Sequence, residues 1–195
     1  MLEGLLVDLV PYGKAFLDRD HVWWNNESAF WGMAGGRMIL SKATLDRWHA
    51  ERANAPARSN SVIWFGIRSK SGVPLGDIEL ADILPHHRVA SIGVGIGEPE
   101  YWGSGYGTDA LLLLVEYAFA WLDYRKLWLE TMDTNIRMQR AAQKAGFREE
   151  ARRRRFWLAD GQWLDNVLFG IQRDEWPGRD VMVERMGLRA REETK

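Results

Sequence analysis

The chain has 195 residues and is 46% hydrophobic, enough to build the core of one domain. A formal net charge of -1 gives no electrostatic case for binding nucleic acid or an acidic partner. With no cysteine, the chain has no disulfide, thiolate metal site or cysteine nucleophile, and its four histidines show no metal-ligand spacing.

The opening "MLEGLLVDLV" lacks the basic start of a signal peptide. The most apolar run, "ALLLLVEYAFAWL" (110–122), is thirteen residues long, contains Glu116, and reads as a buried helix, too short to cross a bilayer. A cytoplasmic protein without a membrane partner is expected.

In chain order, "GLLVDLV" (4–10) predicts a first strand closed by Pro11. The pattern from Lys14 to about Arg52 is helical, with a break near "MAGGR" (33–37) and Ser41 as a cap. "NAPARSN" (54–60) has the composition of a loop. Residues 61–69, 74–84 and 89–97 follow as three strands of an antiparallel meander, joined by "KSG" and "PHHR". A helix over Ser104–Trp121, a strand over 126–131 and a helix over Asn135–Ala145 come next. The last pair, "FREEARRRRFWL" and "QWLDNVLFGI", forms a hairpin around "ADGQ". The order gives an α+β fold around one mixed sheet, in a domain over 1–176 with a polar tail at 177–195.

The stretch "SIGVGIGEPEYWGSGYGTDA" (91–110) carries the chemistry. Gly93, Gly95 and Gly97 alternate with Ile92, Val94 and Ile96, and Gly103, Gly105 and Gly107 precede the apolar helix. Glycine weakens strands and helices, so its repetition asks for a reason. A P-loop is excluded, because no Lys-Ser/Thr follows the glycines. The dinucleotide fingerprint fits less well, since Thr108 stands where its third glycine belongs, although Glu130 at the end of the next strand keeps that reading open. A turn without a ligand is the plain alternative. The third reading is a G-x-G-x-G turn whose helix presents free N–H groups and a positive dipole end to a pyrophosphate. A strand bared of side chains beside it suits a slender arm, and coenzyme A has that shape.

These residues resemble motif A of the GNAT acetyltransferases, and specifically the RimJ/RimL-like branch of ribosomal-protein N-acetyltransferases and spermidine acetyltransferases. The likeness runs from "WWNN" (23–26) through "GDIELADI", "HRVASIG", "EYWGSGYGTDA" and "TNIRMQRAAQKAGF" to "ADGQWLDNVLFGIQRDEW". It implies the GNAT fold, a mixed central sheet splayed between its fourth and fifth strands and flanked by helices. It also implies acetyl-CoA as acyl donor and an amine-bearing acceptor, and a homodimer accords with it.

The family pattern Q/R-x-x-G-x-G/A falls on Trp102, Gly105 and Gly107, with Trp102 in the Q/R position. The resemblance then gives the pyrophosphate to backbone N–H groups of Trp102, Gly103, Ser104, Gly105, Tyr106, Gly107 and Thr108. Gly95, Ile96 and Gly97 would line the pantetheine arm, with one N–H, assigned to Ile96, polarising the thioester carbonyl. The motif N-x(6)-Y-x(3)-G-F falls on Asn135, Gly146 and Phe147, so Asn135 would bond the arm. The tyrosine position is Ala142, which leaves no dedicated general acid; a thiolate of pKa about 8.5 leaves tolerably well without one.

Glu79 in "GDIELADI" lies on the strand face opposite Ile78 and Leu80, where a carboxylate could bind or deprotonate an amine, or simply be solvated. His86 and His87 fall in a turn. The arginines of "ARRRRFW" (151–157) read as a solvated face. Trp23, Trp24, Trp31 and Trp48, among eleven tryptophans, suit an acceptor pocket or ordinary packing. The expected reaction is direct attack of a primary amine on acetyl-CoA in a ternary complex. A polyamine acetyltransferase and a non-catalytic acyl-CoA-binding module are the alternatives. At pH 7 an amine of pKa about 10.4 is neutral about once in 2,500 molecules and one near 7.8 about once in seven, a deficit of about 3.5 kcal/mol. That deficit favours a peptide or small-molecule α-amine acceptor.

Overall fold

The computed structural model describes residues 1–32, 35–36, 39–53 and 62–190. Eight strands form one sheet in the order β1-β2-β3-β4-β5-β6-β8-β7. They are β1 (Leu2–Glu3), β2 (Val7–Pro11), β3 (Val62–Ser69), β4 (Pro74–Leu84), β5 (Val89–Ile96), β6 (Lys126–Met132), β7 (Arg148–Ala159) and β8 (Gln162–Gln172). The helices are α1 (Lys14–Trp23), α2 (Glu27–Gly32), α3 (Lys42–Ala53), α4 (Tyr106–Glu116), α5 (Ile136–Lys144) and α6 (Arg179–Met186).

The expected meander is β3-β4-β5, antiparallel throughout, and the expected final hairpin is β7-β8. The strand expected over 4–10 begins only at Val7, as β2, and runs through Pro11, which pairs with Phe65; the short β1 precedes it. Gly4 N–H donates to Val7 O, folding β1 back on β2. The helical stretch is broken after Trp23 as well as after Gly32, and Ser41 does cap α3, its hydroxyl accepting from Thr44 N–H at 3.1 Å. Residues 33–34, 37–38 and the expected loop 54–60 lie outside the described residues.

Alternation explains which face each strand buries. In β4, Ile78 and Leu80 are fully buried while Asp77 and Glu79 turn the other way; Leu75 joins the same core out of alternation, at the register shift where Ile67 pairs with Gly76 and Arg68 with Pro74. The face of Ile78 and Leu80 joins Ile67, Ile92, Leu127 and Phe169 against Leu111 and Leu114 of α4 in the main core. The opposite face carries α1, whose Phe16 ring lies so close to Gly66 of β3 that a Cβ there would sit 2.3 Å from it. Val10, Phe16 and Trp23 form a second, small core on that side.

α4 starts at Tyr106, two residues after the expected Ser104, and changes to a π turn over Tyr117–Trp121, where Leu122 N–H bonds Tyr117 O. The segment beyond Trp176, expected as a polar tail, contains α6. Arg179 bonds Asp109 at 2.8 Å, the Trp176 indole and Arg179 N–H both bond Glu116, and Met182 is buried. These partners lie 60 to 70 positions away in the chain, so nothing local announces them.

β5 and β6, the fourth and fifth long strands, are the one parallel pair, and they pair only at Val89–Ser91 with Lys126–Trp128. Beyond Ser91 they part. The splay therefore opens at the carboxyl ends of two parallel strands, beside the starts of α4 and α5, the place where open α/β sheets bind ligands.

Candidate active site

Gly97 N–H donates to Leu75 O at 2.7 Å. Hydrogen-bonded and non-bonded positions alternate along an antiparallel ladder, so Gly93, Gly95 and Gly97 direct their peptide groups toward β4. Ile92, Val94 and Ile96 direct theirs toward β6, into the gap. Of the three residues expected to line a pantetheine arm, Ile96 alone offers backbone hydrogen bonds to it. Gly95 and Gly97 have a different job.

Their bare face points to the side of the sheet that carries α1. Gly93 lies opposite Glu79, Gly95 opposite Asp77. A Cβ on Gly93 would stand 3.2 Å from the Glu79 carboxylate, and one on Gly95 3.3 Å from Asp77 Oδ1. A Cβ on Gly97 would stand 2.3 Å from the Trp23 ring. The glycines thus make room for two carboxylates and a tryptophan, while the same strand's other peptide groups face the gap.

The turn into α4 requires glycine at two positions, Gly103 (φ +71) and Gly105 (φ +95). Gly105 is the N-cap, and no side chain caps the helix, so the N–H groups of Tyr106, Gly107 and Thr108 point out of its start. Asp109 N–H is already bonded to Gly105 O, and Trp102 N–H to Pro99 O. Within the row of backbone donors expected from Trp102 to Thr108, the Trp102 N–H is thus engaged inside the turn. Three convergent N–H groups at a positive helix end fit a pyrophosphate.

Trp102 contributes its side chain instead. Its indole N–H donates to Ile96 O at 2.7 Å, and Arg137 of α5 stacks on its ring at 4.1 Å while also facing Trp31 of α2 at 5.2 Å. This cation–π bridge ties α2, the glycine turn and α5 together at the mouth of the gap, and leaves the Ile96 N–H and the peptide groups of Val94 and Ile92 for a ligand. Asn135 caps α5: its Oδ1 accepts from Met138 N–H at 3.2 Å and its Nδ2 donates to Thr131 Oγ1 at 3.0 Å. One lone pair and one amide hydrogen remain on it. Ala142 is fully buried in the main core, so the family's tyrosine position faces packing in this chain.

On the other face, Asp77 and Glu79 are two residues apart on β4 and share a side. Trp64 of β3, opposite Glu79, donates its indole N–H to Asp77 Oδ2 at 2.8 Å and stacks on Tyr12 at 3.7 Å. His49 of α3 stacks on Trp64 at 5.6 Å and brings its Nε2 to 2.7 Å from Asp20 Oδ2, and the Tyr12 hydroxyl donates to Asp20 Oδ1. Sequence reasoning nominated Glu79 and missed Tyr12, Trp64, Asp77 and the buried Asp20–His49 pair. One local signal existed, since Trp64 and Gly66 alternate with apolar residues as Glu79 and Asp77 do.

The nominated tryptophans divide. Trp23 is buried and donates to Glu98 at 3.0 Å, Trp24 meets Trp48 edge-on, and Trp31 alone reaches the gap. His86 and His87 sit before Val89, at the end of β5 away from the splay. The arginine run lies on the outer strand β7, where Arg152 pairs with Glu149 and Arg153 with Glu130, as a solvated face should. Among the described residues no group of His, Asp and Glu could hold a metal ion, and no helix is long and apolar enough to cross a membrane.

The chain is 26% identical over 102 residues to the SPbeta prophage-derived uncharacterized N-acetyltransferase YokL of Bacillus subtilis, covering 52% of this chain and 57% of that relative. It is 27% identical over 97 residues to the uncharacterized N-acetyltransferase YoaA of the same organism, covering 50% and 54%. The matches thus span little more than half the length of these curated relatives. Among solved structures, a GCN5-related N-acetyltransferase from Brucella melitensis superposes with a TM-score of 0.72 at 26% identity, over 92% of this chain and 81% of that one. Spermidine N-acetyltransferase from Vibrio cholerae, solved with CoA and spermine, superposes with a TM-score of 0.76 at 20% identity, over 87% and 97%; at that identity the likeness is one of fold. The family described as Acetyltransferase (GNAT) domain matches residues 9–148, through β2 to the start of β7 and across both the splay and the glycine turn. The chain belongs to the GNAT acetyltransferase family.

Proposed function

We propose that the chain transfers acetyl from acetyl-CoA to a primary amine by direct attack within a ternary complex. The observation that carries this reading is the two-sidedness of β5: Ile92, Val94 and Ile96 offer peptide groups to the gap that ends at the α4 cradle, while Gly93 and Gly95 hold Glu79 and Asp77 on the other face. Acetyl-CoA supplies the activated acyl group. Ile96 N–H bonds the thioester oxygen, the Tyr106–Thr108 N–H groups hold the pyrophosphate, and Asn135 uses its remaining amide capacity on the arm. Glu79 binds the amine as a cation and takes one proton to free the nitrogen lone pair; the neutral nitrogen then attacks the thioester carbon, the C–S bond breaks as the thiolate of coenzyme A leaves, and the second proton passes from nitrogen to that thiolate or to water. Losing one oxyanion donor of the Ile96 kind costs about 2.7–4 kcal/mol in acyl transfer. The absence of cysteine supports direct attack over an acyl-enzyme.

The acceptor is an α-amine of a peptide or small molecule, in keeping with the RimJ/RimL-like motifs, because its lower pKa demands less of Glu79. The second reading is a polyamine, favoured by two carboxylates on one face beside the Trp64 and Tyr12 rings. A thiol-release assay with acetyl-CoA and a panel of amines tests the proposal. Release with a short unblocked peptide, at a higher kcat/KM than with spermidine, supports it. No release with any amine defeats catalysis and leaves the acyl-CoA-binding module. A spermidine preference abolished by Glu79→Gln moves the acceptor to the polyamine class.

A further inference from the structure

Arg137 is a cation in a place that does not favour one. It lies in the first turn of α5, which holds no acid, and it stands on Trp102 in the turn that leads into the uncapped α4. Helix starts are positive, so neither neighbour stabilises a guanidinium. Among the described residues no carboxylate pairs with it, and its side chain is exposed. Two indole faces hold it instead, with ring centroids 4.1 Å (Trp102) and 5.2 Å (Trp31) from the guanidinium carbon.

The two rings belong to different sides of the reaction. Trp102 sits in the glycine turn, and its indole N–H is on Ile96 O at 2.7 Å, in the residue whose N–H faces the gap. Asn135, which caps the helix of Arg137, has an amide hydrogen and a lone pair left for the same gap. Trp31 belongs to α2, on the face proposed for the acceptor. That helix follows Trp23, which packs on the bare face of Gly97, and Asn26 Nδ2 ties its start to Gly97 O at 3.2 Å. With six residues, α2 is far too short to be stable alone, so tertiary contacts decide how well it is ordered. Trp31 Nε1–H is buried and makes no hydrogen bond, so the ring is placed by Arg137 and by its edge-on contact with Phe30.

We infer that Arg137 is a positioning residue that couples the donor gap to α2. Coenzyme in the gap fixes the glycine turn through its pyrophosphate and the start of α5 through Asn135, and both supports of Arg137 are then fixed. The guanidinium has less freedom left to lose on meeting Trp31, so α2 is held more firmly over the acceptor face. The coupling is reciprocal: an acceptor that orders α2 tightens the hold on the coenzyme. The inference rests on the acetyl-CoA reading above and adds to it a route by which one site is felt at the other.

Hydrogen exchange over Glu27–Gly32, read by mass spectrometry, tests the coupling with coenzyme A as the only probe. The wild type is compared with Arg137→Ala, Arg137→Met and Arg137→Lys, each saturated with coenzyme A by calorimetry and shown to be folded by a thermal melt. In the wild type, coenzyme A is expected to slow α2 exchange by about fivefold to tenfold, the lower part of the range for coupled sites. Arg137→Ala and Arg137→Met should bring that ratio below about twofold, whereas Arg137→Lys, which keeps a cation for the rings, should hold it at about threefold or more. A purely structural Arg137 would speed α2 exchange equally with and without coenzyme and leave the ratio unchanged. Wild-type binding of coenzyme A without slowing at α2, an unchanged ratio in Arg137→Ala, or no difference between Arg137→Lys and Arg137→Met overturns the inference and leaves the acetyltransferase reading intact. A wild-type chain that does not bind coenzyme A overturns both.

Discussion

Gly107→Glu should improve folding and damage coenzyme binding, and the opposite signs make it a clean test of the α4 cradle. Gly107 is in the first turn of α4, outside the positive-φ region, and a Cβ there meets only Ile96 Cγ1 at an ordinary 3.5 Å. Replacing helical glycine gains about 0.5–1 kcal/mol, and a carboxylate at a helix start adds about 0.3–1 kcal/mol more. The same carboxylate competes for the N–H groups of Tyr106 and Thr108 and faces the pyrophosphate. Two unit charges about 5 Å apart repel by about 1–3 kcal/mol for an effective dielectric constant between bulk water and a protein surface, or about 5- to 150-fold in affinity. Urea unfolding and coenzyme A calorimetry on one preparation give both numbers. Unchanged coenzyme affinity in a variant that folds at least as stably as wild type would refute the cradle. Gly105 cannot serve for this purpose: its φ of +95 and the Leu6 and Leu188 methyl groups at 3.1–3.2 Å make any side chain there a folding defect first.

Two further outcomes concern stability. Asp109 is fully buried; its Oδ2 accepts from Leu6 N–H at 2.7 Å and Val7 N–H at 3.2 Å, and its Oδ1 accepts from Arg179. Asp109→Ala strands all three donors and should cost about 3–5 kcal/mol in urea unfolding; a loss under 1 kcal/mol would show that water replaces the carboxylate. Burial tends to raise the Asp8 carboxyl, but hydrogen bonds and charge from Lys70 and Arg68 outweigh it and hold the group below its ordinary range. A depressed folded pKa means that its stabilisation is present above the unfolded value of about 3.9 and fades as pH falls through the lower folded value. Asp8→Asn should thus cost about 1 kcal/mol at pH 7 and nothing once both forms are protonated; a pH-independent cost measured by unfolding from pH 7 to pH 2 would sink the linkage.

The fold was legible where pattern and punctuation agreed. The β3-β4-β5 meander follows from alternation and from "KSG" and "PHHR", and α5 falls within the helix expected over Asn135–Ala145. The glycine turn was legible because its backbone demands are local: Gly103 and Gly105 need positive φ, and no other residue adopts it at so little cost. The face proposed for the acceptor was hidden because its members come from the residue after β2 and from α1, α3, β3 and β4, and register alone sets Trp64 against Glu79 and Gly93. α6 was hidden for the same reason. Its short polar sequence is held by Asp109 and Glu116, which from the sequence alone read as ordinary residues of an apolar helix.

The alternating glycines of β5 have a physical reason that differs from a bare wall for a slender ligand. A strand that lines a gap with its peptide groups must orient those of every second residue away from its remaining neighbour, here Ile92, Val94 and Ile96. The side chains of these same residues turn to α4 and fix the strand to the main core. The intervening residues then bond β4, and their side chains would project onto the face where an acceptor must approach the thioester. Any Cβ there pushes Asp77, Glu79 or Trp23 away from the strand, by direct overlap at Gly97 and by tight contact at Gly93 and Gly95. Glycine at alternate positions therefore brings the carboxylates within about one side-chain thickness of the backbone that holds the acyl donor. In the proposed reaction, donor and acceptor sites share a single strand, one through its peptide groups and the other through its missing side chains.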